Sequence, residues 1–147
     1  MECISVLIAV KNAASRVQLE LSLAEWGYQV TSAVDGEAAQ AHLREKNFDI
    51  CILDWEMPGA NGFEICRQLR SRSAETSPLV VFCASPAQLD DIVSRDDAGA
   101  NSYITEPFDL RHVRHRMAGL AQIVLFRQDP SMQNMKKSTL TDGAAGL

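Results

Sequence analysis

Strand-like runs alternate with helical patterns along most of this chain, and this alternation restricts its fold more than any other feature. The predicted strands are 4–10, 28–33, 48–53, 79–83 and 102–105. A continuously apolar run such as 4–10 is typical of a strand that is covered on both faces. Each run is followed by helical spacing, and such βα units build a parallel sheet with helices on both faces. The predicted fold is therefore α/β, with a five-stranded, doubly wound parallel sheet.

The last predicted helix carries an apolar stripe with spacings of three and four residues. Its members are Leu110, Val113, Met117, Leu120 and Val124. A core-facing helix and a coiled-coil seam both need such a stripe, and we favour the core-facing interpretation up to Leu120. Beyond that residue we expect the helix to overhang a compact domain. The chain is therefore divided into a domain over 1–120 and a helical extension with a flexible tail over 121–147. Within the other helices, Asp35 is predicted to be an N-cap.

Composition excludes several classes of protein. The 147 residues suffice for one domain with a sizeable core. A net charge of −5 argues against nucleic-acid binding, and no apolar run approaches the roughly 20 residues of a membrane span. An acid at position 2 argues against a signal peptide. We therefore predict a cytoplasmic protein. The cysteines (Cys3, Cys51, Cys66 and Cys83) form no C-x-x-C motif and are predicted to be buried, reduced thiols.

Candidate site residues follow from the predicted sheet, because ligands bind at the carboxyl ends of parallel strands. The residues at these ends are Ala9, Val10, Asp54, Cys83 to Ser85, and Glu106. Asp54 precedes a loop that is rich in Pro and Gly. A carboxylate at this position can act as a nucleophile or a metal ligand. It can equally cap the turn at 57–59, and the local pattern leaves both interpretations open.

Two segments resemble those of a known family. Residues 53–64, LDWEMPGANGFE, closely resemble the phosphoacceptor loop of CheY-like receiver domains from two-component response regulators. Residues 99–108, GANSYITEPF, are similar to the family's last-strand segment, which ends in Lys-Pro-Phe. The resemblance covers 4 to about 120 and implies the strand order 2-1-3-4-5. It also implies phosphorelay signalling without enzymatic activity of its own, and a histidine kinase or another signalling protein as partner.

The resemblance assigns roles to several residues. It implies that Asp54 is the phosphoacceptor and that the backbone carbonyl of Glu56 joins Asp54 in holding Mg²⁺. Tyr103 stands at the family's aromatic switch position, and Ser85 is a further switch candidate beside the phosphate position. No cofactor other than Mg²⁺ is implied.

Three features of the family's pattern are missing from this chain. The acidic pair that holds Mg²⁺ is here Ala9 and Val10, the hydroxyl residue is Cys83, and the Lys is Glu106. Mg²⁺ prefers several oxygen ligands, and Glu106 repels a phosphoryl group where a Lys would attract it. These departures predict weak or absent Mg²⁺ binding and leave phosphorylation of Asp54 open.

Lys11 and Cys83 each have two interpretations. The ammonium of Lys11 can reach Asp54 or Glu106 and substitute for the metal, but a solvated Lys11 is the simpler interpretation, which we favour. Cys83 can be a redox sensor or a packed thiol. We favour the packed thiol, because a reactive cysteine needs electropositive neighbours and Glu106 is the opposite.

Opposite charges flank the fifth predicted strand. Acidic residues precede it (Asp90, Asp91, Asp96, Asp97), and basic residues follow it (Arg111, His112, Arg114, His115, Arg116). This arrangement favours a homodimer through helix four, strand five and helix five. Two solvated faces explain the same residues equally well. The basic cluster is too short to indicate direct nucleic-acid binding.

The end of the chain, 140–147 (LTDGAAGL), resembles the opening of the diguanylate cyclase (GGDEF) signature. Together with the helical extension, it suggests a receiver domain that precedes an output domain. The first functional hypothesis is thus a phosphorelay receiver. The alternative is a phosphorylation-independent pseudo-receiver that serves as a dimerisation or interaction module of a longer regulator. A flavodoxin-like cofactor binder ranks last, because 9–13 (AVKNA) offers little to a phosphate.

Overall fold

The computed structural model describes residues 3–72, 77–94 and 99–128. Strands and helices alternate along these residues as β1 (Ser5–Ala9), α1 (Ala13–Glu25), β2 (Gln29–Ala33), α2 (Gly36–Glu45), β3 (Ile50–Asp54), α3 (Gly62–Arg70), β4 (Leu79–Ala84), α4 (Leu89–Ser94), β5 (Ser102–Thr105) and α5 (Leu110–Gln128). A short 3₁₀ turn, Pro86–Gln88, precedes α4. The predicted alternation of strands and helices is confirmed.

The five strands form one parallel sheet in the order β2-β1-β3-β4-β5. This is the predicted order. In the register of the sheet, Asp54 of β3 lies beside Cys83 of β4, and Cys83 lies beside Ile104 of β5. Because parallel strands end at the same edge, the residues that close β3, β4 and β5 are neighbours there.

Side chains on the two faces of the sheet pack under different helices. In β1, Val6 and Ile8 pack with α1 and α5, whereas Leu7 and Ala9 pack under α2, α3 and α4. The period of two in a strand sends successive side chains to opposite faces. Because both faces are covered, the central strand β3 is buried along its whole length.

Three helices begin with the same side-chain cap. The side-chain oxygens of Asn12, Asp35 and Asn61 accept hydrogen bonds from the backbone N–H three residues later, at 2.8–2.9 Å. Such caps contribute about 1 kcal/mol each. The predicted cap at Asp35 is confirmed. The other two set where α1 and α3 begin, next to the carboxyl edge of the sheet.

The last helix stays on the domain beyond Leu120. Val124 is buried in the core cluster under α1 and α5, and Arg127 Nη1 donates to the carbonyl of Ser77 at 3.0 Å. The prediction that the helix overhangs the domain is therefore wrong for this turn, because Val124 still packs against the core cluster of the sheet. Ile123 and Leu125 are exposed. The division of the chain at residue 120 stays a prediction, and the tail with its GGDEF-like segment lies outside the described residues.

Two smaller expectations are also answered. Cys51, Cys66 and Cys83 are buried, but Cys3 is exposed, because it precedes β1 and lies outside the covered part of the sheet. Among the helices of the described ranges, none combines the length and the apolarity that crossing a bilayer requires.

Candidate functional site

Three side chains meet where β3, β4 and β5 end. Asp54 closes β3, Cys83 is the penultimate residue of β4, and Glu106 directly follows β5. One ligand atom from each lies within 4.8 Å of the other two. Asp54 is only 4% exposed, Cys83 is fully buried, and Glu106 is partly buried. We call these three residues the carboxyl-edge trio.

Hydrogen bonds hold the trio in place from two directions. Cys83 Sγ donates to Glu106 Oε1 at 3.3 Å, and Ser15 Oγ of α1 donates to Glu106 Oε2 at 3.2 Å. The backbone N–H of Lys11 donates to Asp54 Oδ2 at 3.0 Å. The loop and helix that follow β1 therefore orient both carboxylates of the trio.

Burial and like charge determine protonation at this edge. Burial raises the pKa of Asp54, the Lys11 hydrogen bond opposes that rise, and the negative charge of Glu106 adds to it. Burial also raises the pKa of the Cys83 thiol, and both neighbouring carboxylates raise it further. A thiolate is the reactive form of cysteine. The arrangement therefore favours the packed-thiol interpretation of Cys83 over redox sensing.

Lys11 contacts Asp54 through its main chain. Its side chain is exposed, and within the described ranges no ion pair joins its ammonium to Asp54 or Glu106. The hypothesis that the ammonium replaces the metal is therefore not supported by contact, although the positive charge of Lys11 lowers the pKa of Asp54 from a distance. Every residue except proline carries a backbone N–H, so residue type did not reveal the contact that Lys11 makes.

The loop after Asp54 is fixed by backbone contacts. The N–H of Trp55 donates to the carbonyl of Cys83 at 2.9 Å, and the Trp55 ring packs edge-on against Phe82 at 5.1 Å. A Cβ at Gly62 would lie 2.4 Å from the Asp54 carbonyl oxygen, so only glycine fits there. Asp54 is held by Lys11, and no residue of the turn at 57–59, all of it described, donates to its carboxylate. The loop-cap interpretation of Asp54 is therefore wrong.

The two positions where the family has its Mg²⁺-binding acidic pair carry apolar residues in this chain. Ala9 and Val10 are fully buried, and the carbonyl of Val10 accepts a hydrogen bond from Arg16 Nη1 at 2.8 Å. Glu56 is exposed, and its charge contributes to the raised pKa of Asp54.

The two switch candidates lie close to the trio along the chain but pack elsewhere. Tyr103 is half-buried, pairs with Phe82 in the sheet, and packs against the core cluster under α2, α3 and α4. Ser85 precedes the 3₁₀ turn, and its N–H donates to Gln88 Oε1 at 2.9 Å. Their switch roles remain predictions.

The basic residues of α5 are partly engaged within the domain. Arg116 Nε donates to His112 Nε2 at 3.0 Å, Arg114 lies 5.5 Å from the centre of the Trp26 ring, and Arg111 lies 3.9 Å from Asp109. Two of the acids expected to face them in a dimer, Asp96 and Asp97, lie outside the described residues. The predicted homodimer through helix four, strand five and helix five stays a prediction.

Comparison with known proteins agrees with the fold. Residues 6–118 match the family model described as response regulator receiver domain. The chain is 35% identical over 103 residues to the transcriptional regulatory protein AfsQ1 of Streptomyces coelicolor, which covers 70% of this chain and 44% of AfsQ1. It is 31% identical over 139 residues to the sensory transduction protein RegX3 of Mycobacterium tuberculosis, which covers 95% of this chain and 58% of RegX3.

The fold also recurs in solved structures. The chemotaxis response regulator CheY4 of Vibrio cholerae superposes with a TM-score of 0.73 at 23% sequence identity, over 81% of this chain and 99% of CheY4. This likeness concerns the fold. The chain itself spans about half the length of the curated relatives it matches.

Proposed function

This chain belongs to the family of response regulator receiver domains, and from that premise we propose that it is a pseudo-receiver whose signalling does not use Mg²⁺-dependent phosphorylation of Asp54. It acts in the cytoplasm, without catalytic activity of its own, through contacts with a histidine kinase or another signalling protein. Its two long relatives are named as regulatory and sensory transduction proteins, which supports an output segment or a partner as the receiver of the signal.

The observation that carries this proposal is the carboxylate of Glu106 within the trio. Glu106 occupies the position where the family has a Lys, and its Oε1 accepts from Cys83, the neighbour of Asp54 in the sheet. Phosphoryl transfer is catalysed mostly by positioning and by neutralising the charge on the phosphoryl oxygens. A phosphoryl group on Asp54 would instead bring further negative charge next to the carboxylate of Glu106.

The residues at this edge also do not fit Mg²⁺. The ion prefers near-octahedral coordination by oxygen and is usually held by carboxylates and waters. Ala9 and Val10 present only buried hydrocarbon where the acidic pair would lie, and the third side chain of the trio offers sulfur. Asp54 is thus the single carboxylate of the usual set.

A second candidate is a receiver in which Asp54 still accepts phosphate. It is favoured by the surroundings of this residue: Asp54 closes the central strand, Gly62 packs on its carbonyl, and the Lys11 N–H holds one carboxylate oxygen. The missing charge of the Lys and of the acidic pair would then have to come from solvent or a partner.

Intact-mass measurement after incubation with acetyl phosphate and Mg²⁺ tests the proposal. We expect no phosphoryl gain in the wild type, because the described residues hold neither Mg²⁺ nor a Lys ammonium in contact with Asp54. A matched variant, Glu106→Lys, shows whether the Lys position alone limits the reaction, and Asp54→Asn identifies the site of any gain. A one-phosphoryl gain in the wild type that is lost in Asp54→Asn would overturn the pseudo-receiver and establish the second candidate.

A further inference from the structure

The donor atoms at this edge do not suit Mg²⁺, but they suit another class of cation. We propose that Asp54, Cys83 and Glu106 form a binding site for a thiophilic divalent cation of the Zn²⁺ type. The inference deepens the proposed function and rests on it, since it names a ligand class for the edge that Mg²⁺ chemistry would otherwise occupy.

The geometry of the trio suits a small ion. Zn²⁺ binds sulfur at about 2.3 Å and oxygen at about 2.0 Å, which places its ligand atoms roughly 3.5 Å apart. Cys83 Sγ and Glu106 Oε1 are already 3.3 Å apart, and the Asp54 ligand atom lies within 4.8 Å of both. For all three atoms to bind one Zn²⁺, the Asp54 ligand atom has to approach the other two by at most about 1.3 Å. A fourth position remains for water or for a ligand from a partner, as in zinc sites with three protein ligands.

The chemistry of the donors selects the ion. Thiolate ligands favour Zn²⁺ and other soft or borderline metals, whereas Mg²⁺ takes oxygen. Binding replaces the hydrogen bond between Cys83 and Glu106 by a metal–sulfur bond, and the thiol proton leaves to solvent. With Cys83 at the family's hydroxyl position and Glu106 at its Lys position, the edge thus suits a Zn²⁺-type ion in place of Mg²⁺.

No protein cation of the described residues contacts the trio, and this supports the same inference. Buried carboxylates are paired with a charge or coordinate a metal. In the parts of the chain that the structure describes, no Lys or Arg forms an ion pair with Asp54 or Glu106, although Asp54 is more than nine-tenths buried. Lys11 acts on Asp54 only from a distance, so a cation in contact with the trio is expected to come from outside the chain.

Two hydrogen bonds prepare the carboxylates for this task. Ser15 Oγ holds Glu106 Oε2 and the Lys11 N–H holds Asp54 Oδ2, so each carboxylate is oriented through one oxygen. Such outer contacts fix the direction of metal-binding carboxylates. Neither contact is needed by the strands or helices themselves, since both come from loop and helix positions to a side chain at the edge.

Titration with Co²⁺, followed by competition with Zn²⁺ or Mg²⁺, tests the site. The full chain carries Cys3→Ser throughout, which removes the exposed thiol. We expect an ultraviolet sulfur-to-cobalt charge-transfer band that Zn²⁺ abolishes and Mg²⁺ leaves unchanged. Cys83→Ser removes the band, whereas Cys51→Ala, the loss of a buried thiol outside the trio, retains it. Ser15→Ala weakens metal binding about tenfold, as expected for an outer contact.

Circular dichroism of each variant separates lost binding from lost folding. A missing band in the folded Cys3→Ser protein, or a band that survives in Cys83→Ser, overturns the metal site. The outcome is independent of the phosphorylation measurement. Phosphoryl gain at Asp54 with Mg²⁺ overturns the proposed function whatever the cobalt spectrum shows, and absence of both phosphoryl gain and cobalt band overturns the metal site alone.

Discussion

The two edges of the sheet handle buried polar groups in opposite ways. At the amino edge, Asp49 precedes β3, and its Oδ2 accepts from the N–H of Ser5 at 2.9 Å and from the Ser5 hydroxyl at 3.2 Å. The N–H of Asp49 donates back to the carbonyl of Ser5. At the carboxyl edge, Asp54 ends the same strand with one hydrogen bond from the main chain and a second carboxylate nearby.

Arg70 extends the contrast. Its guanidinium, at the end of α3, donates to the carbonyl oxygens of Gly99 and Pro78 and to Asn101 Oδ1, at 2.7–2.9 Å. It also donates to the hydroxyl of Ser77. Polar groups at the amino edge are thus matched donor to acceptor. Among the described residues, the close pair of carboxylates is thus a feature of the carboxyl edge and not of the fold in general.

Removal of Arg70 is expected to have the largest effect on stability. Arg70→Ala removes a donor from two carbonyls and two side chains, of which Asn101 Oδ1 still accepts from the N–H of Val80. We expect a loss of about 3 kcal/mol in the free energy of unfolding. Arg67→Ala, which removes an exposed guanidinium from above the Phe63 ring, is the matched control and should cost about 0.5 kcal/mol. Urea unfolding measures both. Equal losses would show that the amino-edge network does not act as argued.

Removal of Asp49 comes next in size. Asp49→Ala deprives the N–H and hydroxyl of Ser5 of their shared acceptor, with an expected loss of about 2 kcal/mol. The same urea titration serves, and Ser5→Ala in the Asp49→Ala background should cost less than Ser5→Ala alone, because the two residues act as a pair. Strict additivity of the two substitutions would contradict the pairing.

Asp54 is expected to respond with the opposite sign and to depend on pH. Because the pKa of Asp54 is raised in the folded state, the folded protein binds more protons than the unfolded chain between the ordinary Asp pKa and the raised one. Wild-type stability therefore falls as the pH rises from the ordinary pKa to the raised pKa. Asp54→Asn removes this loss, so the variant should be more stable than the wild type at pH 7 and should lose the advantage as the pH is lowered towards about 3.

Unfolding at several pH values, with Asp90→Asn as a control for the loss of one exposed negative charge, provides the test. An Asp54→Asn variant that is less stable than the wild type at every pH would show that the Lys11 hydrogen bond outweighs the burial of the charge. The contrast between the two edges would then fail for this residue.

Much of the fold could be predicted because it rests on local pattern. The alternation of runs gave the strands, the cap at Asp35 followed from residue type, and the resemblance gave the strand order. The caps at Asn12 and Asn61 carried the same signal and were missed. The burial of Val124 was not predicted, because a stripe of apolar residues does not reveal how far the sheet extends beneath it.

The site was predicted as a set of positions but not as a set of contacts. Asp54, Cys83 and Glu106 could be named because each lies at the end of a strand, and the parallel sheet brings such residues to one edge. The contact between Ser15 and Glu106 spans 91 residues and depends on where α1 begins above that edge. Lys11 acts through its backbone, to which residue identity gives no clue.

The helix α5 runs from the carboxyl edge of the sheet to its amino edge, and its regular turn fixes how its two ends are rotated relative to each other. It begins four residues after Glu106, at the carboxyl edge, and runs for 19 residues, or about 28 Å, to Gln128. Arg127, its penultimate residue, contacts Ser77 at the amino edge. One residue inserted in the helix before Val124 would turn everything beyond it by about 100° and advance it by about 1.5 Å. The direction in which the last turn of α5 faces is therefore set by the number of residues between it and the edge that carries the trio.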